Sequence, residues 1–170
     1  TVSPTASATA SQTPTLSATV TAPRLVIAKI DVNAAIVEVP WRVVQTGDGP
    51  AAVWDVAPPH LVGHHLGSAR LGEEGNVVLA GHGSDDGSLA RLDELDVGDL
   101  IRVYATEAEF RQYRVVETHL LADAGAAWGE RLAHASYMAP TEDARLTLIT
   151  CWPAWAYTHR LVVVARGEAR

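Results

Sequence analysis

Short runs of branched aliphatic residues, each ended by turn residues, most strongly limit what this chain can fold into. Val, Ile and Leu dominate these runs, whose lengths are typical of β-strands rather than helices. Clear turn signals lie between them, among them GDGP (47–50), GEEG (72–75) and DVGD (96–99). Many short strands at this spacing predict a barrel or a sandwich. The predicted strands are residues 25–30, 34–39, 76–80, 99–105, 110–118, 146–151 and 161–165.

Two stretches interrupt the β pattern with helical character. Residues 88–95, SLARLDEL, carry a leucine at every third position, which predicts a short helical turn. Residues 123–139 are a second candidate, although Gly125 and Gly129 weaken the helix propensity there. We therefore predict a mostly β domain with one or two short helices.

The first 23 residues differ in composition from the rest of the chain. Of these 23 residues, 19 are Thr, Ser, Ala or Pro, and none is charged. Such a segment has too little apolar surface to offset the entropy lost on ordering, so we expect residues 1–23 to be a disordered stalk or linker and residues 24–170 to be one folded domain. We expect the stalk to follow a membrane anchor; the alternative is a secreted protein with a frayed terminus.

Charge and cysteine content exclude several classes of function. The net charge of −7 argues against a nucleic-acid-binding surface, which requires a basic patch. The single cysteine excludes an internal disulfide framework and any zinc site built from several cysteines. No apolar run in residues 1–170 is long enough to span a membrane, and we expect no signal peptide within them.

The segment RLTLITCWPAWAYTHRLVVVARG, residues 145–167, has the pattern of a β-hairpin. Two apolar runs flank an aromatic loop, which we predict over residues 152–159. If the second run returns antiparallel to the first, Cys151 and Arg160 lie opposite each other, with Cβ atoms about 4.5–5.5 Å apart. The hairpin therefore predicts a thiol and a guanidinium side by side at a strand end.

A second strand, NVVLA (76–80), leads into Gly81-His82-Gly83. The flanking glycines allow a sharp turn and leave room around the imidazole. Histidine is the usual group that activates a cysteine nucleophile, because it exchanges protons with the thiol and the leaving group. An arginine beside them can hold the oxyanion of a tetrahedral intermediate. Cys151, His82 and Arg160 are thus a candidate acyl-transfer site.

Around these residues the sequence resembles the sortase family. TLITC (147–151), followed nine residues later by Arg160 in THRLVV, is similar to the sortase cysteine and arginine signature. GNVVLAGH (75–82) resembles the family's histidine motif, and SLARLDELDVGDLIRVY (88–104) resembles the stretch that follows it. The motifs come in the family order, and the resemblance runs from about residue 24 to residue 166.

The resemblance implies a sortase-type eight-stranded β-barrel and a cysteine transpeptidase. We expect no cofactor and no metal, since the sequence shows no clear acidic cluster for a calcium site of the kind found in class A sortases. Such an enzyme cleaves an LPXTG-like sorting signal after its threonine, holds the fragment as a thioester and passes it to an amine. By motif position Cys151 would be the nucleophile, His82 the general acid and base, and Arg160 the group that holds the oxyanion and positions the substrate. The compact loop before Arg160 suggests a class D or E enzyme.

The same resemblance implies partners and a location. The substrates would be secreted proteins that carry a C-terminal sorting signal, and the acceptor would be an amine of a cell-wall precursor or a pilin lysine. The enzyme would work at the extracellular face of the cell membrane, in the cell envelope, tethered through an N-terminal segment. The substrate-binding residues, the exact motif and the choice between wall anchoring and pilus assembly are not predicted.

Other interpretations of these residues stay open at this stage. A lone cysteine is by default a small buried apolar residue, so the domain could be a non-catalytic β-barrel binding module on a stalk. A mononuclear metalloenzyme would use His82, Cys151 and His159, although His159 precedes Arg160 and faces the other side of a regular strand.

Several aromatic and polar residues near the motifs have open roles. His64 and His65 either line the groove or, as we prefer, lie solvated in a loop. Trp152, Trp155 and Tyr157 either border a substrate groove or pack over the end of the barrel, and we favour packing. Thr150 either shapes the oxyanion region through its backbone or serves only as a strand-forming residue.

Overall fold

A computed structural model describes residues 23–47 and 49–169 of the chain. The stalk predicted over residues 1–23 lies outside these residues apart from Pro23. One α-helix, α1 (Trp128–Ala135), continues into a 3₁₀ turn, and no helix in the described residues is long and apolar enough to cross a membrane. The strands are β1 (Arg24–Ile27), β2 (Val32–Val39), β3 (Trp41–Thr46), β4 (Gly49–Trp54), β5 (Val62–His65), β6 (Asn76–Ala80), β7 (Leu100–Tyr104), β8 (Phe110–Ala122), β9 (Arg145–Trp152) and β10 (His159–Gly167).

Eight of the strands close into a barrel in the order β1-β2-β5-β6-β9-β10-β8-β7, which confirms the predicted eight-stranded barrel. The β2–β5 and β6–β9 pairs are parallel, and the other pairs are antiparallel. The remaining strands, β3 and β4, form a separate two-stranded hairpin between β2 and β5. The hairpin is a feature that the sequence pattern did not predict.

The barrel interior is filled by alternate residues of each strand, as the pleat requires. Leu146 and Leu148 of β9 and Val77 and Leu79 of β6 are fully buried within one apolar cluster. Burying each such side chain stabilises the fold by about 1.5–3 kcal/mol. The closed sheet buries one face of each barrel strand, which is why the aliphatic side chains of these runs lie in the barrel interior.

Residues 88–95 contain the predicted short helical turn, which is a three-residue 3₁₀ helix, Leu92–Glu94, preceded by other turns. Three details differ from the expectations. The predicted strand over residues 25–30 ends at Ile27, because residues 28–30 form a 3₁₀ helix. The loop between β9 and β10 is shorter than predicted and covers residues 153–158, because Trp152 and His159 pair as strand residues. In addition, β5 was not predicted, because its sequence, Val-Gly-His-His, has little strand character.

The expectation that His64 and His65 are solvated in a loop is wrong, since both are buried in β5. The His64 Nε2–H donates to the carbonyl of Ala69 over 2.9 Å. The His65 ring stacks on Trp54, with ring centroids 4.8 Å apart. Burial, with a smaller effect of neighbouring His64, lowers the pKa of His65 to about 4, so this imidazole is neutral at pH 7.

Because His65 is buried in its neutral form, the stability of the fold depends on pH. The ordinary pKa of the imidazole is 6.5, so the unfolded chain takes up a proton there, whereas the folded protein does so only near about 4. This contribution to stability is fully present above pH 6.5 and is lost as the pH falls toward about 4. At about 1.4 kcal/mol per pKa unit the loss reaches ~3 kcal/mol. We expect His65→Phe, which keeps an aromatic ring against Trp54, to flatten the pH dependence.

Denaturant unfolding of wild type and His65→Phe between pH 7.5 and pH 4.5 measures this difference. The matched control is His60→Phe, which removes an exposed histidine and should keep the wild-type pH dependence. If the free energy of unfolding of His65→Phe falls with pH as steeply as that of wild type, His65 is not the group responsible.

Candidate active site

Cys151 and Arg160 lie directly opposite each other beside the loop that joins β9 to β10. The pairing places both side chains at the same level of the barrel rim, as the hairpin pattern predicts. The Arg160 Nη1–H donates to the Cys151 Sγ over 2.6 Å. Cys151 is half-buried, so its sulfur is supported by the barrel and still reachable.

Asp123 holds the rest of the Arg160 guanidinium. Its Oδ2 accepts hydrogen bonds from Arg160 Nε at 3.0 Å and Nη2 at 2.9 Å. Asp123 follows the last residue of β8, and its backbone N–H donates to the carbonyl of Thr158 over 2.9 Å. With two of its nitrogens fixed by one carboxylate, the planar guanidinium points Nη1 at the sulfur. Sequence reasoning missed Asp123, because only the β8–β10 pairing brings it to Arg160.

His82 emerges from the end of β6, which runs parallel to β9. Ala80 pairs with Ile149, so continuing this register puts His82 level with Cys151. The His82 Nε2 lies 2.8 Å from the carbonyl oxygen of Ala57. Because a carbonyl can only accept, Nε2 carries the hydrogen in this contact, and Nδ1 of the neutral ring is left as the proton acceptor.

The glycine that follows His82 is needed because the backbone of β9 passes very close to it. A Cβ on Gly83 would overlap the backbone carbonyl of Cys151 and approach the Thr150 Oγ1. The Thr150 hydroxyl donates to the carbonyl of Gly81 over 2.9 Å, which ties the end of β9 to the histidine turn. Thr150 is buried, and the hydrogen bond of its hydroxyl positions this turn.

His82, Cys151 and Arg160 all line one open cleft with a volume of about 820 Å³. The β3–β4 hairpin and α1 also line it, and α1 contributes the apolar side chains of Trp128 and Leu132. Both of these side chains are exposed, although they are large and apolar. The arrangement offers a thiol, an imidazole and a fixed guanidinium to a molecule the size of a short peptide.

The other residues singled out in the sequence have mixed outcomes. Trp152 packs against the barrel core, as favoured. Trp155, in contrast, is 85% exposed, and Tyr157 is half exposed, so packing was the wrong expectation for both. His159 pairs with Trp152 in the strand ladder, and its Nδ1 lies 2.8 Å from the Thr158 Oγ1. Within residues 23–47 and 49–169, no three His, Cys, Asp or Glu side chains come together as a metal-ligand group.

Comparison of sequences identifies a family. A family profile described as Sortase domain matches residues 25–168, which is nearly all of the part of the chain that the structure describes. A search by sequence found no match among curated proteins. The profile match covers both the histidine turn and the β9–β10 hairpin, so the residues that line the cleft fall within it.

Solved structures with the same fold come from several sortase types. Sortase A of Listeria monocytogenes is 23% identical, with 88% of each chain covered and a TM-score of 0.63. The Sortase D5 transpeptidase of Clostridium perfringens is 23% identical over 86% of this chain and 78% of that one, with a TM-score of 0.61. Sortase C-1 of Actinomyces oris is 19% identical over 91% and 77%, with a TM-score of 0.60. At these identities the solved structures show only that the fold is shared. The family profile, which matches most of the chain, shows that the chain belongs to the sortase family.

Proposed function

We propose that this protein is a cysteine transpeptidase that cleaves an LPXTG-like sorting signal after its threonine and transfers the product to an amine. The observation that carries the proposal is the contact of the Arg160 Nη1 with the Cys151 Sγ, 2.6 Å long, in a cleft that His82 also lines. A thiol, an imidazole and a guanidinium are the groups that acyl transfer requires.

The first half of the reaction would form a thioester. The Cys151 sulfur attacks the threonine carbonyl carbon and gives its proton to His82. The carbonyl oxygen becomes an oxyanion, which Arg160 stabilises by donating hydrogen bonds from its guanidinium. The C–N bond then breaks, and His82 returns the proton to the departing glycine amine. One peptide bond is lost, one thioester is formed and no cofactor takes part.

The second half would transfer the acyl group. An acceptor amine attacks the thioester carbonyl carbon and loses a proton to His82. The C–S bond then breaks, and His82 returns the proton to the departing sulfur, which restores the thiol. The proposed acceptors are an amine of a cell-wall precursor or a pilin lysine. The proposed substrates are secreted proteins with a C-terminal sorting signal. Water in place of the amine would give hydrolysis.

We also propose that the enzyme works at the extracellular face of the cell membrane, tethered through an N-terminal segment. The uncharged Ser, Thr, Ala and Pro composition of residues 1–23 supports a stalk between the barrel and such a tether. Protease treatment of intact cells checks the location, and protection of the protein until the cells are lysed would contradict it. The short loop over residues 153–158 supports a class D or E enzyme, which the preferred peptide motif would test.

The direct test of the proposed function is a peptide-library cleavage assay with candidate amines, followed by mass spectrometry. We expect cleavage after threonine in one motif of the LPXTG kind and a new amide with at least one amine. Full occupancy of the cleft by peptides with no cleavage of any of them would contradict the proposal and would favour a non-catalytic binding module.

Asp123 gives a separate prediction, because it binds Nε and Nη2 of Arg160, whereas Nη1 contacts the sulfur. Asp123→Asn keeps the size of the side chain but removes the charge that holds Nε and Nη2 of Arg160. We expect kcat to fall on the order of tenfold, the scale of one charge-assisted hydrogen bond, with KM nearly unchanged. Steady-state kinetics on the best library peptide measures both constants.

The matched control is Asp143→Asn. Asp143 also pairs with arginines, 3.4 Å from Arg145 and 3.8 Å from Arg166, but at the far end of β9 from Cys151. This variant should leave kcat within about twofold of wild type, because six residues of strand separate the ion pair from the sulfur by roughly 20 Å. Equal losses in the two variants would mean that Asp123 acts on general stability and does not position Arg160.

A further inference from the structure

The cleft is bordered by the edge of β4. Residues 50–54, a consecutive run of β4, all line it, and the following residues 55–57 continue the same wall. Successive side chains of a strand point to opposite faces, so a run of neighbours can line one cavity only if the strand presents its edge. Of β3, among the residues described, Thr46 alone lines the cleft. The hairpin therefore turns the β4 edge toward the cleft and the β3 edge away from it.

The ladder of the hairpin shows which backbone groups lie on that edge. The Asp55 N–H donates to the carbonyl of Pro40 over 2.9 Å, so this pair is a hydrogen-bonded one. In an antiparallel ladder hydrogen-bonded and non-hydrogen-bonded pairs alternate. The register is Trp41 with Trp54 and Val43 with Ala52, which makes these two pairs non-hydrogen-bonded. The backbone groups of Ala52 and Trp54 therefore point away from β3, toward the cleft.

The β4 edge is open and fixed in place. Across the described residues, β4 pairs with β3 and with no other strand. Pro50 lies at the third outward position, where its missing N–H breaks no bond within the hairpin. Trp54 anchors the hairpin to the barrel by stacking on His65 and by donating from Nε1 to the carbonyl of Leu66 over 3.4 Å. Ala51 and Ala52 are small, so another backbone can approach closely.

We propose that β4 binds the protein substrate by strand addition: an extended segment flanking the scissile bond pairs with the outward backbone groups of Ala52 and Trp54. This rests on the proposed function, because the edge borders the same cleft as Cys151 and Arg160. An extended peptide is the occupant that fits, since its N–H and C=O groups recur every second residue, as the groups on β4 do. Main-chain pairing of this kind adds affinity for the flank without requiring a specific flanking sequence.

The kinetic test compares Ala52→Pro with Val43→Pro on the library peptide that is cleaved fastest, in a five-residue form and in a form with six added residues on each side. Ala52→Pro removes an N–H that points into the cleft, and Val43→Pro removes the equivalent N–H from the far edge of the same cross-strand pair. We expect Ala52→Pro to raise KM about fivefold for the long peptide only, the scale of one backbone hydrogen bond. Val43→Pro should change neither KM.

Amide hydrogen exchange provides a measurement that does not depend on proline being tolerated. In Cys151→Ala protein saturated with the long peptide, the amides of Ala52 and Trp54 should exchange at least tenfold more slowly, while the Val43 amide should not change. Unchanged exchange at Ala52 and Trp54 would overturn the inference and leave the proposed function standing.

Protection of the same amides before any peptide is added would also overturn it. If this protection depends on protein concentration, a second copy of the chain covers the edge. If deleting residues 1–22 removes the protection, those residues cover the edge. If wild type cleaves no library peptide at all, the proposed function fails, and this inference fails with it.

Discussion

Replacing Cys151 with alanine is expected to abolish peptide cleavage and to leave the barrel folded. Cys151 is the only cysteine in the chain, so no second thiol can substitute for it. Removing the nucleophile of a protease that works through a covalent intermediate costs about 10⁶ in kcat, so we expect a loss on the order of 10⁴-fold or more here. The fold should survive, because the β9–β10 ladder is made by backbone groups and the lost sulfur is only half-buried.

Kinetics on the best library peptide, together with circular dichroism, measures this result. A thiol-directed reagent serves as the control: it should inactivate wild type and have no effect on the mass of Cys151→Ala. Retained cleavage by Cys151→Ala, at even one per cent of the wild-type rate, would show that the thiol is not the nucleophile.

Arg160→Lys is expected to be the next most damaging substitution. The guanidinium uses three nitrogens at once, with Nη1 on the Cys151 sulfur and the other two on Asp123. Lysine keeps the charge but lacks the planar fork, so it cannot bind the carboxylate at two points while donating toward the reacting atoms. Loss of one oxyanion donor costs on the order of 10²–10³ in rate, and we expect at least this loss in kcat/KM.

Arg166→Lys is the matched control for Arg160→Lys. Arg166 is on the same strand, pairs with Asp143 at 3.8 Å and lies at the other end of the barrel. It should retain wild-type kcat/KM within about twofold, since exposed ion pairs contribute little. If Arg160→Lys loses less than roughly tenfold, equivalent to about 1.4 kcal/mol, then Arg160 acts only as a positive charge beside the sulfur.

The strands that could be predicted are those whose own side chains are apolar or β-branched and so favour a buried strand. Residues 77–80 are a continuous aliphatic run, residues 146–151 combine Leu and Ile with β-branched Thr, and both stretches form largely buried barrel strands. In contrast, β5 contains a glycine and two histidines, which do not favour a strand. Its histidines are buried because neighbouring groups bind them: the His64 Nε2–H donates to the Ala69 carbonyl and also lies close to the Ser68 hydroxyl, and Trp54 stacks on His65. Such tertiary contacts produce no local sequence pattern from which the strand could be predicted.

The hairpin of β3 and β4 was missed for a different reason. WRVVQT (41–46) is rich in β-forming residues, and the glycine-flanked turn signal GDGP follows it directly, so the local signal was present. The sequence did not indicate that these two strands lie outside the barrel, where their side chains are largely exposed.

The site was predictable in part. The placement of Cys151 opposite Arg160 depends only on the register of the β9–β10 hairpin, and the two apolar runs determine that register. The partner of Arg160, by contrast, comes from the end of β8, 37 residues earlier in the chain. The partner of His82, the Ala57 carbonyl, is a backbone atom and therefore carries no sequence signal at all.

If Cys151 carries the acyl group during the reaction, the intact mass of the protein reveals it. Wild type is mixed with the best library peptide without any amine and is quenched in acid within the first turnovers. We expect a mass increase equal to the acyl fragment up to threonine, located on Cys151 and removed by hydroxylamine, as a thioester requires. Cleavage of the peptide with no adduct, or with an adduct on any other residue, would show that Cys151 does not carry the acyl group.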